Sequence, residues 1–314
     1  MHFKAKGAFG KLASLSNMNL NHLIGKKVGS STLLAEIARG SMGAVFVGYQ
    51  SSLKRQIAVK ILPKSIMTPQ TARSFQQEAE LAAILSHPNI IPVYEVGDAG
   101  DLLFLAMQLV KGKPLSYYIK RLHKNVLPSK RALPLNITLK IIISVLNALD
   151  YAHSQSIIHR DIKPENLLIE GYKNRPIIVD FGLAQVSQKP DETKTMISGT
   201  PKYMAPEQIL NSEVDGRADI YATATMLFEM LTPESLFSDF KSIQDLLSRK
   251  INQKDGLFAK KPSEMNPGLN KEMDTIISIA LSFDPETRYA TCREFRDQLE
   301  RYSAQYLRNQ REEK

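Results

Sequence analysis

The chain has no tryptophan and only one cysteine, Cys292, among its 314 residues. A single cysteine excludes an internal disulfide framework, and with it the small secreted domains that depend on disulfides. The simplest expectation is a reducing compartment, so a cytoplasmic location is predicted.

Long apolar runs are also missing. The most apolar window, residues 137–149, is interrupted by Lys140 and Asn147, whereas a membrane-spanning helix needs about 20 mostly apolar residues. Lys4 and Lys6 near the start are not followed by the long apolar core of a secretory signal. We therefore expect no membrane span in this chain.

Acidic residues are outnumbered by basic ones, and the formal net charge is +9. An excess of this size is compatible with nucleic acid or an anionic membrane face. Lysines and arginines spread over a solvated surface are the favoured explanation, and a site for a polyphosphate also benefits from positive potential. We expect no nucleic-acid partner, and the sequence does not indicate an oligomeric state.

Secondary-structure patterns divide the chain into a β-rich first third and a helical remainder. Short apolar runs predict strands at 33–38, 44–49, 56–62, 93–96, 102–107, 167–169 and 177–179. Helical spacing after Thr68-Pro69 predicts one helix, and others are predicted at 135–154, 219–231, 242–251, 272–282 and 292–302.

This order predicts an α+β fold with a small β-rich N-lobe, a larger helical C-lobe and a cleft between them. The expected domain covers residues 33–305, with lobes at 33–109 and 110–305. Residues 1–32 are small and polar and are expected to be a weakly structured extension. Residues 306–314 are expected to form a charged tail.

Two glycines, Gly40 and Gly43, lie between predicted strands and would let the backbone approach a polyphosphate. A plain hairpin turn is the favoured explanation when this segment is taken alone. Lys60 ends an apolar strand, where a surface lysine is the ordinary alternative. Glu78 follows on the inner side of the next helix and needs a partner there, for which Lys60 is the candidate.

The segment His159-Arg160-Asp161-Ile162-Lys163-Pro164-Glu165-Asn166 places charged and polar side chains between two apolar strands. Asp161 can accept a proton from a hydroxyl, Lys163 can neutralise a migrating phosphoryl group, and Asn166 can bind a metal ion. Asp180 leaves a later strand just before Phe181-Gly182, a position suited to holding Mg²⁺. A capped loop with ion pairs does not explain both motifs in this order.

These motifs resemble those of the eukaryotic-type (Hanks-type) serine/threonine protein kinases, most closely the bacterial members. The similarity extends from about residue 33 to residue 302. The motifs occur in the family order: the glycine loop, Lys60, Glu78, His159-Arg160-Asp161, Asn166, Asp180-Phe181-Gly182 and Ala205-Pro206-Glu207.

The resemblance implies that the chain transfers the γ-phosphoryl group of ATP, with Mg²⁺, to Ser or Thr hydroxyls of protein substrates. Asp161 would orient and deprotonate the hydroxyl, assisted by Lys163. Lys60, paired with Glu78, would bind the α- and β-phosphates, while Asn166 and Asp180 would hold Mg²⁺. The other implied nucleotide-binding residues are Ala38, Arg39, Gly40, Ser41, Gly43, Val45, Ala58, Met107, Gln108, Val110 and Leu168.

Among these, Met107 would be the gatekeeper behind adenine, and Gln108 and Val110 would supply backbone hydrogen bonds. The resemblance also implies a structural pair between Glu207 and Arg288.

Asp219 would brace the backbone of residues 159–166, the catalytic loop of the family. The implied activation segment, residues 180–207, includes the candidate hydroxyl residues Thr193, Thr195, Ser198 and Thr200. Autophosphorylation is expected, with Thr193 and Thr195 as the preferred sites, whereas the resemblance implies that Thr200 would hydrogen-bond Asp161 and Lys163.

The chain departs from the family at Ala38, which replaces the first loop glycine, and weaker nucleotide binding is expected because alanine resists positive φ. Residues 122–135 are longer than the usual connection and are expected to form an accessory surface, with a solvated loop favoured over a site for an acidic partner. The first alternative function is a pseudokinase that binds nucleotide as a scaffold. The second, a small-molecule kinase of related fold, would lack the block 199–207.

Overall fold

The computed structural model describes residues 19–40, 43–171, 174–181, 201–210, 212–237, 240–252 and 260–312. Its contacts divide the chain into two compact units. The first comprises Met1–Ala83 and Pro92–Leu109, and the second comprises Ile84–Ile91 and Val110–Lys314. Residues 84–91 therefore group with the second unit, although the sequence placed them in the N-lobe.

The first unit is built on a six-stranded antiparallel sheet with the order β1-β2-β3-β4-β6-β5. Its strands are β1 Lys27–Val28, β2 Ser31–Arg39, β3 Ala44–Gln50, β4 Arg55–Pro63, β5 Val93–Ala99 and β6 Leu102–Gln108, and its helix is α1 Pro69–Ala83. Alternate residues of a strand face opposite sides of a sheet. Phe46, Ile57 and Val59 thereby join one buried cluster.

Residues 19–32 belong to this cluster, so the predicted weakly structured extension is wrong for them. Leu20 and Leu23 are 1% and 3% exposed, beside a 3-10 turn at Asn21–Leu23. Val28 on β1 is also buried. Three well-spaced apolar side chains suffice to dock this segment, although its overall composition is polar.

The second unit combines a small sheet, β7-β8-β9, with eight helices in its described residues. The strands are β7 Gly112–Pro114, β8 Leu167–Glu170 and β9 Arg175–Ile178. The helices are α2 Leu115–His123, α3 Leu135–Ser154, α4 Pro206–Ile209, α5 Arg217–Leu231, α6 Ile243–Asn252, α7 Pro262–Met265, α8 Lys271–Ala280 and α9 Cys292–Glu312. Helix α9 continues ten residues beyond its predicted end at 302, so the expected tail is helical through residue 312.

Two apolar helices form the core of this unit. Residues 218–231 of α5 are all buried, as expected for a helix surrounded by protein, and each large apolar side chain buried there stabilises the fold by roughly 1.5–3 kcal/mol. Helix α3 packs against α5 and α9. Among the described helices, only α3 has the length and composition to cross a membrane, but a core helix of a folded unit has the same properties.

Candidate active site

In the first unit, the glycine segment forms the connection between β2 and β3. The Gly40 N–H donates to the Gly43 carbonyl over 2.8 Å and closes a tight turn. A Cβ on Gly43 would lie 2.5 Å from the Ile61 carbonyl oxygen, whereas one on Gly40 would lie 3.8 Å from the Gly43 carbonyl oxygen. Gly43 is therefore needed for strand packing. Ser41 lies outside the described residues.

Ala38 and Arg39 end β2, where Ala38 pairs with Val45. Ala38 is not among the residues with positive φ, so the backbone here does not demand glycine. This removes the reason given from the sequence for weakened nucleotide binding. Arg39 Nε donates to Glu36 Oε1 over 2.7 Å.

One face of the first unit's sheet carries several of the predicted nucleotide-binding residues. Lys60 pairs with Val45 across β3 and β4, and Ala58 pairs with Met107 across β4 and β6. Since residues 58 and 60 are two apart on one strand, these four side chains share a face. It is opposite to the face that contributes Phe46, Val59 and Ile61 to the apolar cluster. The sheet therefore separates its packing side from its candidate ligand side.

Four further predicted nucleotide-binding residues are not part of this sheet face. Glu78 is on α1 next to the buried Ala79, but its side chain lies outside the described residues, so the pair with Lys60 stays a prediction. The Gln108 N–H donates to the Pro92 carbonyl over 3.0 Å, which leaves only the Gln108 carbonyl for a ligand. Leu168 is on β8 opposite Ile177, and Val110 begins the second unit after the break at Leu109.

The central group of the second unit is Asp161 with Lys163 and Asn166. Lys163 Nζ donates to Asp161 Oδ2 over 2.6 Å, and Asn166 Nδ2 donates to the same oxygen over 3.0 Å. Asn166 Nδ2 also donates to the Asp161 carbonyl over 2.9 Å. Both donors approach Oδ2, so Oδ1 is the oxygen that these contacts leave to an incoming group. Charge-assisted bonds of this length fix the carboxylate orientation.

A buried carboxylate holds the loop that carries Asp161. Asp219 Oδ1 accepts the Arg160 N–H over 2.8 Å, and Oδ2 accepts the His159 N–H over 2.9 Å. Arg160 has a φ of 64°, a left-handed conformation that a non-glycine residue adopts only when its surroundings enforce it. The two hydrogen bonds of Asp219 supply that constraint.

Asp219 is fully buried, and His153 completes its hydrogen bonds through Nε2 at 2.8 Å. Burial alone would raise the pKa of Asp219, but the hydrogen bond and charge of His153, with the charge and N–H of His159, hold it below the ordinary value. Asp219 therefore stays a carboxylate at neutral pH.

The position of Asp180 depends on the end of β9. The Val179 N–H donates to the Asn166 carbonyl over 2.9 Å, and His159 Nε2 lies 3.0 Å from the Val179 carbonyl. Asp180 follows with a φ of 62°. The ring of Phe181 packs 4.6 Å from the ring of His159. These contacts join residues 179–181 to the catalytic loop within one unit.

Glu207 and Arg288 form a buried, two-pronged ion pair. Arg288 donates to Glu207 Oε1 over 2.7 Å and to Oε2 over 2.8 Å. Gln208, the next residue, donates through Nε2 to the Arg160 carbonyl over 2.8 Å. The start of α4 is thereby connected to the catalytic loop. The predicted activation-segment residues Thr193, Thr195, Ser198 and Thr200 lie outside the described residues.

Sequence reasoning missed His153, Gln208, Glu229 and Lys250, all of which support this region. The position of Lys250 could have been recognised as unusual from the sequence, since it lies four residues after Leu246 on the apolar side of α6, where a charged residue is unexpected. His153 and Glu229 gave no local signal, because their partners are 66 and 26 or 27 residues away in the chain.

Comparisons with known proteins agree on one family. The family model described as "Protein kinase domain" matches residues 31–299. The chain is 32% identical over 292 residues to serine/threonine-protein kinase Pkn1 of Myxococcus xanthus, which covers 91% of this chain and 40% of that protein. It is 31% identical over 295 residues to tyrosine-protein kinase MasK of the same species, with shares of 89% and 44%. The chain thus spans less than half the length of these relatives.

Among solved structures, the PknI kinase domain of Mycobacterium tuberculosis is similar with a TM-score of 0.70 and 28% identity. The match covers 90% of this chain and 98% of that domain. Together with the family model, this similarity confirms the predicted fold class, with a β-rich unit followed by a mainly helical one.

Proposed function

Because the chain belongs to the protein kinase family, we propose that it is a serine/threonine protein kinase that uses ATP. The observation that carries this proposal is the hydrogen-bonded group of Asp161, Lys163 and Asn166 on a loop held by Asp219. Such a group fixes one carboxylate oxygen and leaves the other to receive a proton.

The proposed reaction forms a bond between an acceptor hydroxyl oxygen and the γ-phosphorus of ATP, and the bond from that phosphorus to the leaving oxygen of ADP breaks. Asp161 accepts the hydroxyl proton at Oδ1. Lys163 Nζ, fixed at 2.6 Å from Oδ2, adds positive charge where the transferring group passes. Positioning and electrostatic stabilisation account for most of the acceleration in reactions of this kind.

The residues present fit a magnesium ion. Asn166 uses its amide nitrogen for both bonds to Asp161, which leaves the side-chain oxygen for a cation. Asp180 adds a carboxylate, and Mg²⁺ prefers one or two carboxylates with phosphate and water oxygens. The described parts of the chain contain no group of three or more His, Cys, Asp or Glu that could hold a metal ion. When bound, Mg²⁺ would neutralise charge on the phosphates.

For nucleotide binding in the first unit, we assign Lys60 to the phosphates and Ala58 and Met107 to the adenine environment. The shared sheet face of these residues supports the assignment. Glu78 would pair with Lys60, and the Gln108 carbonyl would accept a hydrogen bond from the base.

Serine or threonine, rather than tyrosine, is the proposed acceptor. Lys163 lies two residues after Asp161, as the corresponding lysine does in serine/threonine kinases. The relative Pkn1 is named a serine/threonine-protein kinase. MasK is named a tyrosine-protein kinase, so the acceptor must be measured. Mass spectrometry of labelled products should show phosphoserine or phosphothreonine, and products containing mainly phosphotyrosine would refute the assignment.

The decisive experiment compares Asp161→Asn with Glu165→Gln in a phosphoryl-transfer assay. Both changes neutralise a carboxylate on the same loop, but the ion pair of Glu165 is with the exposed Lys120, at 3.7 Å. Asp161→Asn should slow transfer by about 10²- to 10⁴-fold, the usual contribution of a positioned base. Glu165→Gln should stay near the wild-type rate. Equal rates for wild type and Asp161→Asn would remove the proposed mechanism.

A nucleotide-binding scaffold without catalysis is the alternative function. Asp180→Ala separates the two, because a kinase should lose both transfer and the extra thermal stabilisation that Mg²⁺ adds to ATP. A scaffold would show no transfer in the wild-type protein at all, with or without the substitution.

A further inference from the structure

Lys250 on α6 is buried in the second unit and is only 1% exposed. Its Nζ donates to the Lys202 carbonyl over 2.7 Å and to the Met204 carbonyl over 2.6 Å. These partners are main-chain oxygens on either side of Tyr203. Lys250 therefore holds a three-residue segment by its backbone, independently of the side chains that segment carries.

Burying an amine in this way is costly. The desolvation of a charged group is normally offset by a carboxylate partner, yet the hydrogen bonds of Lys250 in the described part of the chain go to carbonyls. The rings of Tyr221 and Phe237 lie 5.0 and 4.8 Å from Nζ and add favourable cation–π contacts. Burial, with the charges of Lys202 and Arg288, lowers the pKa of Lys250 well below its ordinary value. This unfavourable burial places two N–H donors at the backbone of residues 202–204.

The opposite side of the same segment is held by α5. Glu229 accepts hydrogen bonds from Lys202 Nζ and from the Tyr203 hydroxyl. Burial and the charge of Glu229 raise the pKa of Tyr203, so the tyrosine stays a donor. Helix α5 thus fixes the side chains of residues 202 and 203, and α6 fixes the backbone.

The held segment leads directly to the catalytic loop. The Ala205 N–H donates to Gln208 Oε1 over 2.9 Å, and Gln208 Nε2 donates to the Arg160 carbonyl over 2.8 Å. Asp161 is the next residue. A continuous series of contacts in one unit therefore runs from Lys250 through residues 202–205 and Gln208 to the candidate base.

We propose that Lys250 is a positioning residue for the protein acceptor: it fixes the backbone of residues 202–204 so that an acceptor peptide is presented to Asp161. This inference rests on the proposed kinase function, in which an acceptor peptide must reach Asp161 and therefore passes beside residues 202–205, which Gln208 joins to the loop of Asp161. ATP hydrolysis by water needs no acceptor peptide. Loss of Lys250 should therefore weaken peptide use and leave ATP handling unchanged.

The test uses Lys250→Met, which retains an unbranched stem and removes the donors. With a synthetic peptide containing one serine, the peptide KM should rise about tenfold or more, as expected when two buried hydrogen bonds are lost. The KM for ATP and the rate of ATP hydrolysis without peptide should stay within about twofold. Arg249→Met is the matched control, since Arg249 is on the same helix and pairs with Asp245 at 3.3 Å.

Lys250→Gln restores two N–H donors without charge and should recover part of the peptide KM. It is also the variant to measure if Lys250→Met does not fold. Amide hydrogen exchange over residues 201–206 should be faster in Lys250→Met than in wild type or Arg249→Met.

Two results would overturn the inference. One is a wild-type peptide KM in folded Lys250→Met or, where Lys250→Met does not fold, in Lys250→Gln. The other is an equal loss of peptide transfer and peptide-free ATP hydrolysis, which would indicate general structural support. A failure of the proposed function looks different, because wild-type protein would then transfer no phosphate to any peptide.

Discussion

His153 Nε2 lies 2.8 Å from Asp219 Oδ2, the oxygen that also accepts the N–H of His159. Burial lowers the pKa of His153, but the hydrogen bond and charge of Asp219, with Asp150 and Asp215 nearby, raise it above the ordinary value of 6.5. The catalytic loop is therefore held by a carboxylate that is itself held by a titrating ring.

The first prediction concerns the pH dependence of this pair. A raised histidine pKa stabilises the fold fully below the unfolded value of 6.5, and the contribution is lost as pH rises through the folded pKa. The lowered pKa of Asp219 stabilises the fold at pH values above its unfolded pKa of 3.8, and this contribution is lost only as the pH falls through the folded pKa. His153→Gln should therefore cost about 1.5–3 kcal/mol near pH 6 and less at pH 9.

Denaturant unfolding of wild type and His153→Gln at several pH values tests this. His22→Gln is the control, because His22 is exposed and its Nδ1 lies 2.9 Å from the carbonyl oxygen of the neighbouring Asn19. A stability difference between wild type and His153→Gln that stays constant from pH 6 to pH 9 would contradict the assigned linkage.

The second prediction concerns the ion pair between Glu207 and Arg288, whose side chains are 6% and 0% exposed. Arg288→Met should lower the free energy of unfolding by about 3–5 kcal/mol, because it leaves a buried carboxylate without its cation. Arg217→Met should cost less than about 1 kcal/mol, since its partners Asp215 and Glu286 are largely exposed. Equal losses of unfolding free energy in the two variants, measured by urea unfolding, would show that burial does not determine how much an ion pair contributes to stability.

Local patterns predicted much of the fold. The apolar periodicity of α3 and the turn residues before α1 predicted elements that the structure contains. Residues 19–32 were misjudged because average polarity hides three docking side chains, Leu20, Leu23 and Val28. Helix α9 was predicted too short because its charged C-terminal part lacks the apolar spacing on which the prediction relied.

The candidate site, too, could be predicted only in part from the sequence. Asp161, Lys163 and Asn166 could be identified because all three lie within one short motif. Lys250 could not be assigned, because its partners are 46 and 48 residues away in the chain and only the folded unit brings them together. Contacts of this kind are a property of the tertiary structure rather than of any local pattern.

The third prediction concerns residues 122–135. They lie within a longer stretch, residues 102–149, that contains Lys and Arg but no Asp or Glu. Arg131 Nε donates to the Asn125 carbonyl over 2.8 Å and shapes the loop, whereas Lys124 and Lys130 are exposed. We expect Lys124→Glu/Lys130→Glu to leave transfer rates unchanged, because solvated charges are screened within about 8 Å at physiological salt.

The measurement compares neutral and acidic peptide substrates over a range of salt concentrations. Lys124→Gln/Lys130→Gln is the control for loss of charge without reversal. A salt-dependent loss confined to acidic peptides would identify a docking site for an acidic partner in place of a solvated loop.

The last prediction is that activity depends on phosphorylation of Thr193 or Thr195, which lie outside the described residues. Arg160 immediately precedes Asp161, and a phosphate brings about −1.5 to −2 charge that an arginine can bind through paired hydrogen bonds. Such a contact would order the segment that receives the substrate.

Dephosphorylated enzyme should therefore show a lag on addition of ATP, and pre-incubation with ATP should remove it. Thr193→Ala/Thr195→Ala should stay slow throughout, while Ser187→Ala in the same segment should behave as wild type. Full activity of the double variant from the first time point would show that these hydroxyls are ordinary solvated residues.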